Sequence, residues 1–414
     1  MVNTMVQHTL IQKLAILSDA AKYDASCASS GTTKRNSLES GGLGSTEGSG
    51  ICHSYAPDGR CISLLKILMT NFCTYDCAFC INRVSSNVAR ARFTTDEVVK
   101  LTMEFYRRNY IEGLFLSSGI IKTPDYTMEQ MTDIVKKLRL EHQFQGYIHL
   151  KTIPNASQDL VHEAGLFADR LSVNIELPTD IGLSKIAPEK DVLQIKKSMS
   201  SIGEEILSSR EPSFINKLVK KFVPAGQSTQ MIIGADQSSD AIILNRSSSL
   251  YSGYKLKRVY YSAFSPIPDT SVHLPLVKPP MIREHRLYQA DWLLRFYGFN
   301  VDEITKSGEG MLDLDIDPKL SWALAHREAF PVDVNTASYE ALLRVPGFGV
   351  KTVKRIVSSR RHGKLRYADL LKLGANMKNA QSFITTIDWH PGAAIDAPDL
   401  RQRFVPKLRQ LELF

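Results

Sequence analysis

Cysteine is scarce in this chain: six in 414 residues, too few to frame a fold with disulfides. Long apolar runs are missing as well. No stretch reaches the about 18 uncharged apolar residues of a membrane span. Residues Met1–Leu17 lack the basic start, apolar run and small-residue cleavage site of a secretory signal. The expectation is a cytoplasmic protein with no membrane partner. Acid is absent where base is dense. Between Ala341 and Ala368 stand Arg344, Lys351, Lys354, Arg355, Arg360, Arg361, Lys364 and Arg366, with no Asp or Glu among them. The remaining 43 Lys and Arg balance the 43 acidic residues, so the net charge of +8 resides in this stretch. Such a distribution predicts a polyanion-binding appendage on an otherwise neutral body.

What is present suits a globular protein with more than one folded part, since 43% of the residues are hydrophobic. Thr32–Gly50 is rich in Gly and Ser and reads as a loop. Beyond it, strand-like runs at Ile62–Met69, Leu114–Leu116, Tyr147–Leu150, Arg170–Ile175, Gln230–Ile233 and Arg258–Ala263 alternate with helical stretches. These helices fall at Thr94–Arg108, Met128–Leu140, Asp159–Phe167 and Asp191–Leu207. Thr94 and Glu97 have capping-box spacing. Six such units predict an α/β fold, a partial (βα)6 barrel with its site at the C-terminal ends of the strands. The expected organisation is an N-terminal helix and Gly/Ser-rich loop over 1–60, the barrel over 61–280, a helical connector over 281–330, a small all-α domain over 331–390 and a tail over 391–414.

Three of the cysteines crowd together as Cys73-Thr-Tyr-Asp-Cys77-Ala-Phe-Cys80, directly after the first barrel strand. Three thiolates can hold three irons of a [4Fe-4S] cubane and leave the fourth without a protein donor. S-adenosylmethionine (SAM) can occupy that open iron through its amino and carboxylate groups. A structural zinc site needs a fourth ligand, and no His lies in or just after the loop. The C-x3-C-x2-C spacing, with Phe79 before the last cysteine, resembles the radical SAM superfamily. That resemblance implies SAM contacts at Phe79, at Ser117-Ser118-Gly119, at Glu176, at Gly234 and at Phe264. The Ser117 motif lacks the acid that customarily ends it. Lys151 and Arg170 are further, weaker candidates for the barrel mouth. Electron supply by a flavodoxin or ferredoxin follows from the same resemblance.

Cys27, Cys52 and Cys61 precede the loop. They read either as small buried hydrophobes or as ligands of a second, auxiliary iron-sulfur cluster. A third reading makes one of them a hydrogen-atom donor to a substrate radical, but Cys61 is separated from Cys73 by a strand, about 30 Å or more of extended chain, which argues against it there.

In the basic stretch, a helix over Tyr339–Leu343, capped by Asn335 or Thr336, leads into Val345-Pro346-Gly347-Phe348-Gly349 and a second helix with Val353, Ile356 and Val357 on one face. This pattern resembles the helix-hairpin-helix family. Gly347 and Gly349 let the turn present backbone N–H groups to a phosphate, and Lys351, Lys354 and Arg355 add charge without reading bases. Leu365–Ile384 reads as a degenerate second hairpin. From Leu14 to about Trp389 the chain resembles a radical SAM family linked to DNA modification or repair and to uracil-DNA-glycosylase-like partners. The resemblance implies a DNA substrate. An RNA-modifying radical enzyme and a non-catalytic iron-sulfur redox sensor on DNA are the alternatives.

Overall fold

The computed structural model describes residues 8–21, 51–55, 61–210, 221–268 and 271–405. The Thr32–Gly50 loop and Cys27 lie outside the described residues. The chain divides into two compact units, residues 1–238 with 249–279, and residues 239–248 with 280–414.

The first unit is built on one seven-stranded sheet in sequence order. Its strands are β1 (Ile51–Tyr55), β2 (Cys61–Leu68), β3 (Gly113–Ser117), β4 (Tyr147–Lys151), β5 (Arg170–Ser172), β6 (Gln227–Ile233) and β7 (Arg258–Ala263). β2 to β7 are parallel, the expected six-strand half-barrel. Their apolar runs are near-continuous because helices cover a parallel sheet. β1 was not anticipated. It pairs antiparallel with β2, Ile51 opposite Leu65 and Tyr55 opposite Cys61. Its sequence, Ile-Cys-His-Ser-Tyr, is too short and mixed to stand out beside a Gly/Ser-rich run.

Helices α1 (Leu10–Ala20), α2 (Thr95–Arg107), α3 (Pro124–Leu140), α4 (Gln158–Phe167), α5 (Asp180–Ile186) and α6 (Val192–Ser208) belong to this unit, and α7 (Asp240–Tyr254) straddles the division. The α2 capping box is present: Glu97 N–H donates to Thr94 Oγ1 at 3.1 Å, and Glu97 Oε2 accepts from Thr94 N–H at 2.8 Å. α5 and α7 escaped the sequence reading, α7 because its Ser-rich middle blurs the helical period.

The second unit contains α8 (Met281–Phe296), α9 (Val301–Thr305), α10 (Pro318–Ala325), α11 (Tyr339–Arg344), α12 (Val350–Ser359), α13 (Tyr367–Lys372) and α14 (Met377–Ala380). Two short parallel strands, β8 (Val332–Asp333) and β9 (Ile384–Thr385), join the ends of the hairpin region. Asp240, fully buried, accepts from Arg283 Nε at 2.8 Å and from Leu312 N–H at 2.9 Å, tying three segments of the unit together.

Candidate functional sites

The cysteine loop leaves the C-terminal end of β2 and is knitted to the loop after β3. Gly119 N–H donates to Thr70 O at 2.8 Å and Thr74 N–H to Ile120 O at 2.9 Å. A Cβ on Gly119 would stand 2.2 Å from Phe72 O, so glycine is required there by close approach of two backbones. Two sulfurs receive backbone hydrogen bonds: Cys73 Sγ from Ile120 N–H at 3.5 Å and Cys80 Sγ from Asn82 N–H at 3.4 Å. Bonds of this kind to cluster sulfurs help set reduction potential.

One side chain organises the backbone that follows. The Arg90 guanidinium donates to Asn82 O at 2.8 Å, Arg83 O at 2.7 Å, Ser86 O at 2.8 Å and also to Asn71 O. Four carbonyls that a tight loop leaves without partners are thereby satisfied by a single planar fork. No motif marked Arg90 in the sequence.

Beyond the end of β5 the chain turns at Glu176, whose φ of 62° is left-handed. Its carboxylate is 4% exposed and accepts from Lys190 Nζ at 2.5 Å and Asn174 Nδ2 at 3.3 Å. Lys190, which the sequence reading missed, also lies over the Phe79 ring at 5.5 Å. Burial works against its ammonium, yet the Glu176 carboxylate at 2.5 Å holds its pKa above the ordinary lysine value, and Cys77 and Cys80 add to this once they are thiolates. Burial pushes the Cys77 thiol up to about 12, with Lys190 opposing, and raises Cys80 as well. These thiols therefore keep their protons until a metal displaces them.

The donor set fits an iron-sulfur cluster. Three thiols share one loop near a buried cation that offsets thiolate charge. Among the described residues no group of three His, Cys, Asp or Glu closes tightly enough for a single metal ion, whereas a cubane spreads its three thiolates wider than one ion does. Ser117 Oγ and Glu189 Oε2, at the same end of the sheet, are buried without a hydrogen-bond partner.

Of the other expected positions, Ser118 and Gly119 are half-buried beside the cysteine loop. Gly234 follows β6 with φ of 77°, and a Cβ there would meet Pro279 Cγ at 2.8 Å, which explains the glycine by packing. Phe264 follows β7 and is 2% exposed, so its ring is part of the core. Lys151 ends β4 at the mouth side. Arg170 is a correction: it begins β5, at the opposite end of the strands, and donates to Tyr260 Oη at 3.2 Å and Ala225 O at 3.3 Å. Cys52 packs against Ile62, Leu64 and Phe115, and Cys61 is exposed at the start of β2.

In the second unit, Gly347 has φ of 80°, and a Cβ there would meet Asn376 O at 2.4 Å. Asn376 N–H donates to Gly347 O at 3.1 Å, joining the first hairpin to the second, α13-turn-α14. The cap of α11 is Ser338, which accepts from Ala341 N–H at 3.1 Å, not Asn335 or Thr336. Asn335 is engaged elsewhere, accepting from Leu365 N–H at 2.7 Å and donating to Leu365 O at 3.2 Å. Thr336 donates to Asp333 Oδ2 at 2.9 Å.

Three of the eight basic side chains bond within the unit, Arg355 by donating to Leu373 O at 3.2 Å while remaining exposed. Arg344 pairs with Glu303 at 2.9 Å and lies 3.9 Å over the Phe299 ring, and Arg360 donates to Val334 O and Ala337 O. Lys351, Lys354, Arg355, Arg361, Lys364 and Arg366 are exposed. Gly347→Ala should lower the stability of this unit by about 1–3 kcal/mol from its positive φ alone, with the Asn376 clash added. A thermal melt beside Gly349→Ala provides the control, because Gly349 has φ of −93° and a Cβ there meets only Tyr297 Oη at 3.8 Å.

Lys319, on α10, is 7% exposed, donates to Phe348 O at 2.6 Å and stands 4.7 Å from the Tyr297 ring centre. Burial lowers its pKa to about 7, with Asp317 opposing and Arg344 reinforcing. In the unfolded chain the amine keeps its proton up to about 10.4. Between pH 7 and that value the unfolded state binds more protons, so stability should rise with pH, by at most about 1.4 kcal/mol per unit. Below pH 7 the cost of burying the ammonium is fully present. Comparing wild type with Lys319→Met in denaturant titrations across this window should show the rise in wild type and its loss in the variant.

Residues 67–207 match the family described as the Radical SAM superfamily. Residues 67–207 therefore form a radical SAM domain. Residues 328–381 match the helix-hairpin-helix motif. Solved structures similar to this chain include the FeFe-hydrogenase maturase HydG from Carboxydothermus hydrogenoformans, at 11% identity, TM-score 0.42, covering 55% of this chain and 50% of that one. Methylornithine synthase (PylB) is similar at 15% identity, TM-score 0.41, covering 54% and 61%. This chain thus spans about half the length of the solved structures it matches, and likeness at this distance says nothing of its substrate. None of the curated proteins matches it.

Proposed function

We propose that this radical SAM enzyme acts on nucleic acid, with DNA modification or repair as its setting. The observation that carries the reading is the presence, in one chain, of the three-cysteine loop and a helix-hairpin-helix whose exposed face is basic and, over 341–368, free of acid. Cys73, Cys77 and Cys80 would hold the [4Fe-4S] cluster. When bound, it supplies the one-electron reduction that cleaves SAM, the source of a hydrogen-abstracting 5′-deoxyadenosyl radical.

The chain's own residues prepare that chemistry. Arg90 holds the cysteine loop in shape. Lys190, paired with Glu176, would offset the charge of the Cys77 and Cys80 thiolates. Ser117, Ser118 and Gly119 would offer hydroxyl and backbone groups to the methionine part of SAM, and Gly234 would serve its adenosine. Gly347, Gly349, Lys351, Lys354 and Arg355 hold phosphates of the substrate backbone, independently of sequence. A target within a duplex has to be exposed before it is attacked. A flavodoxin or ferredoxin as reductant and a uracil-DNA-glycosylase-like partner belong to the same proposal.

The test is 5′-deoxyadenosine production by anaerobically reconstituted protein with SAM and dithionite, alone and with matched DNA or RNA duplexes. Stimulation by DNA supports the reading, and stimulation by RNA alone moves it to RNA modification. Nucleic-acid binding without SAM cleavage, with equal traces of product in wild type and cysteine variants, would leave a redox-sensing binder. Lys354→Ala should weaken binding to all sequences alike and reduce the salt slope by about 1.

A further inference from the structure

Beside the hairpin turn lies an open groove of about 500 Å³ whose lining includes Tyr288, Trp292, Tyr297, Lys319, Gly349 and Asn376. One wall is α8, a helix with an unusual outer face. Trp292 is 48% exposed and Phe296 44%, and their rings pair at 4.9 Å, with the Arg295 guanidinium 4.8 Å from the Phe296 ring centre. Large aromatics left on a surface in this way are costly to hydrate and call for a function. The other wall is the Gly347-Phe348-Gly349 turn that opens α12. Gly349 needs no glycine for its backbone angle or packing, since a Cβ would find only Tyr297 Oη at 3.8 Å. Its bare Cα therefore keeps the backbone open to a ligand.

The charge around the groove selects the ligand class. Exposed Lys351, Lys354 and Arg355 follow the turn, and the Lys319 side chain, held on Phe348 O, is part of the groove's lining. Asp317, the acid in the lining, is occupied as the cap of α10, accepting from Lys319 N–H at 3.1 Å and Leu320 N–H at 3.0 Å. An aromatic wall facing a basic backbone turn matches a planar base attached to a phosphate, the pairing found where single strands are held by stacking and charge together. A paired base keeps its faces inside the duplex and has none to offer Trp292.

We infer that this groove takes an unpaired nucleobase, stacked on Trp292, of a strand whose phosphate rests on the Gly347–Gly349 turn, so that the preferred substrate contains a single-stranded segment. This inference deepens the nucleic-acid reading above and rests on it. Trp292 then confers a preference for unpaired strands, while the lysines serve any phosphate backbone.

The experiment is fluorescence anisotropy of full-length protein with a labelled oligothymidylate and with a blunt DNA duplex of equal length, at matched salt. Trp292→Ala should weaken oligothymidylate binding about tenfold or more and leave the duplex unchanged. Trp292→Phe should retain most of the affinity. Lys351→Ala with Lys354→Ala should weaken both ligands alike. Because Trp292 is half exposed, its variants are expected to melt as wild type does, which a thermal scan verifies. Unchanged oligothymidylate affinity in Trp292→Ala, with the lysine variant still impaired, overturns the groove proposal and leaves the phosphate clamp standing. Wild type that binds neither ligand overturns both.

Discussion

Cys77→Ala, reconstituted anaerobically with iron and sulfide, should retain iron and sulfide only at the level of unreconstituted protein, and its SAM-dependent 5′-deoxyadenosine should fall to background. The reason is that the cubane is held by thiolates, and the loop has no further cysteine to replace the one removed. Asp76 already accepts from Ser85 Oγ at 2.6 Å and Ser85 N–H at 3.2 Å, and Glu189 Oε1 accepts from Asp76 N–H at 2.9 Å. Two thiolates cannot hold three irons of a cubane. The fold itself should survive. Removing one buried sulfur costs little beside the rest of the core, and Cys77 N–H and C=O remain within a loop held by Arg90. Iron and sulfide analysis with a thermal melt separates the two effects. Full iron retention in a well-folded Cys77→Ala protein would contradict the assignment of Cys77 as a ligand, whatever the activity. Cys73→Ala and Cys80→Ala should behave in the same way, since each supplies one of the three donors.

Lys190→Met should destabilise the first unit by about 3–5 kcal/mol, the usual cost of breaking a buried ion pair from one side. The Lys190 side chain is 9% exposed and that of Glu176 6%. The variant removes the cation that the carboxylate meets at 2.5 Å, and the Asn174 amide at 3.3 Å carries no charge to replace it. Glu176→Gln in the same chain removes the buried carboxylate charge, so the double variant should recover most of the loss. Chemical denaturation of the three variants measures this coupling, and additive losses would show that the pair does not interact as described. A second readout concerns the cluster. Deleting a cation beside Cys77 and Cys80 makes their surroundings more negative, which disfavours the added electron. Potentiometry on a reconstituted Lys190→Met protein should place the cluster midpoint below that of wild type. A purely structural lysine would leave the potential where it was.

Neither Lys190 nor Arg90 carries a sequence signature. Lys190 lies fourteen positions after Glu176, in the loop between two helices, and only the turn at Glu176 and the packing of that loop bring the two charges together. Arg90 stands among apolar and basic residues that look like any loop, yet its guanidinium finds carbonyls at Asn71, Asn82, Arg83 and Ser86 because the chain doubles back there. Arg170 shows the converse. Its charge suggested a place at the mouth, but strand direction puts it at the far end, where burial and the Tyr260 hydroxyl retain it. Asn335 and Thr336, ahead of the hairpin, suggested a helix cap, but Asn335 is drawn to Leu365, thirty positions away, and Ser338 caps instead.

The amino-acid sequence by itself determined the six parallel strands, the cysteine loop and the hairpin, since each is written in neighbouring residues: near-continuous apolar runs of strand length, fixed thiol spacing, glycines flanking an aromatic. The antiparallel strand β1, the Lys190–Glu176 pair, the Arg90 clamp and the aromatic groove were decided by tertiary structure alone. Each depends on groups distant in the chain meeting through sheet order, burial and hydrogen bonding, and no local pattern encodes such a meeting.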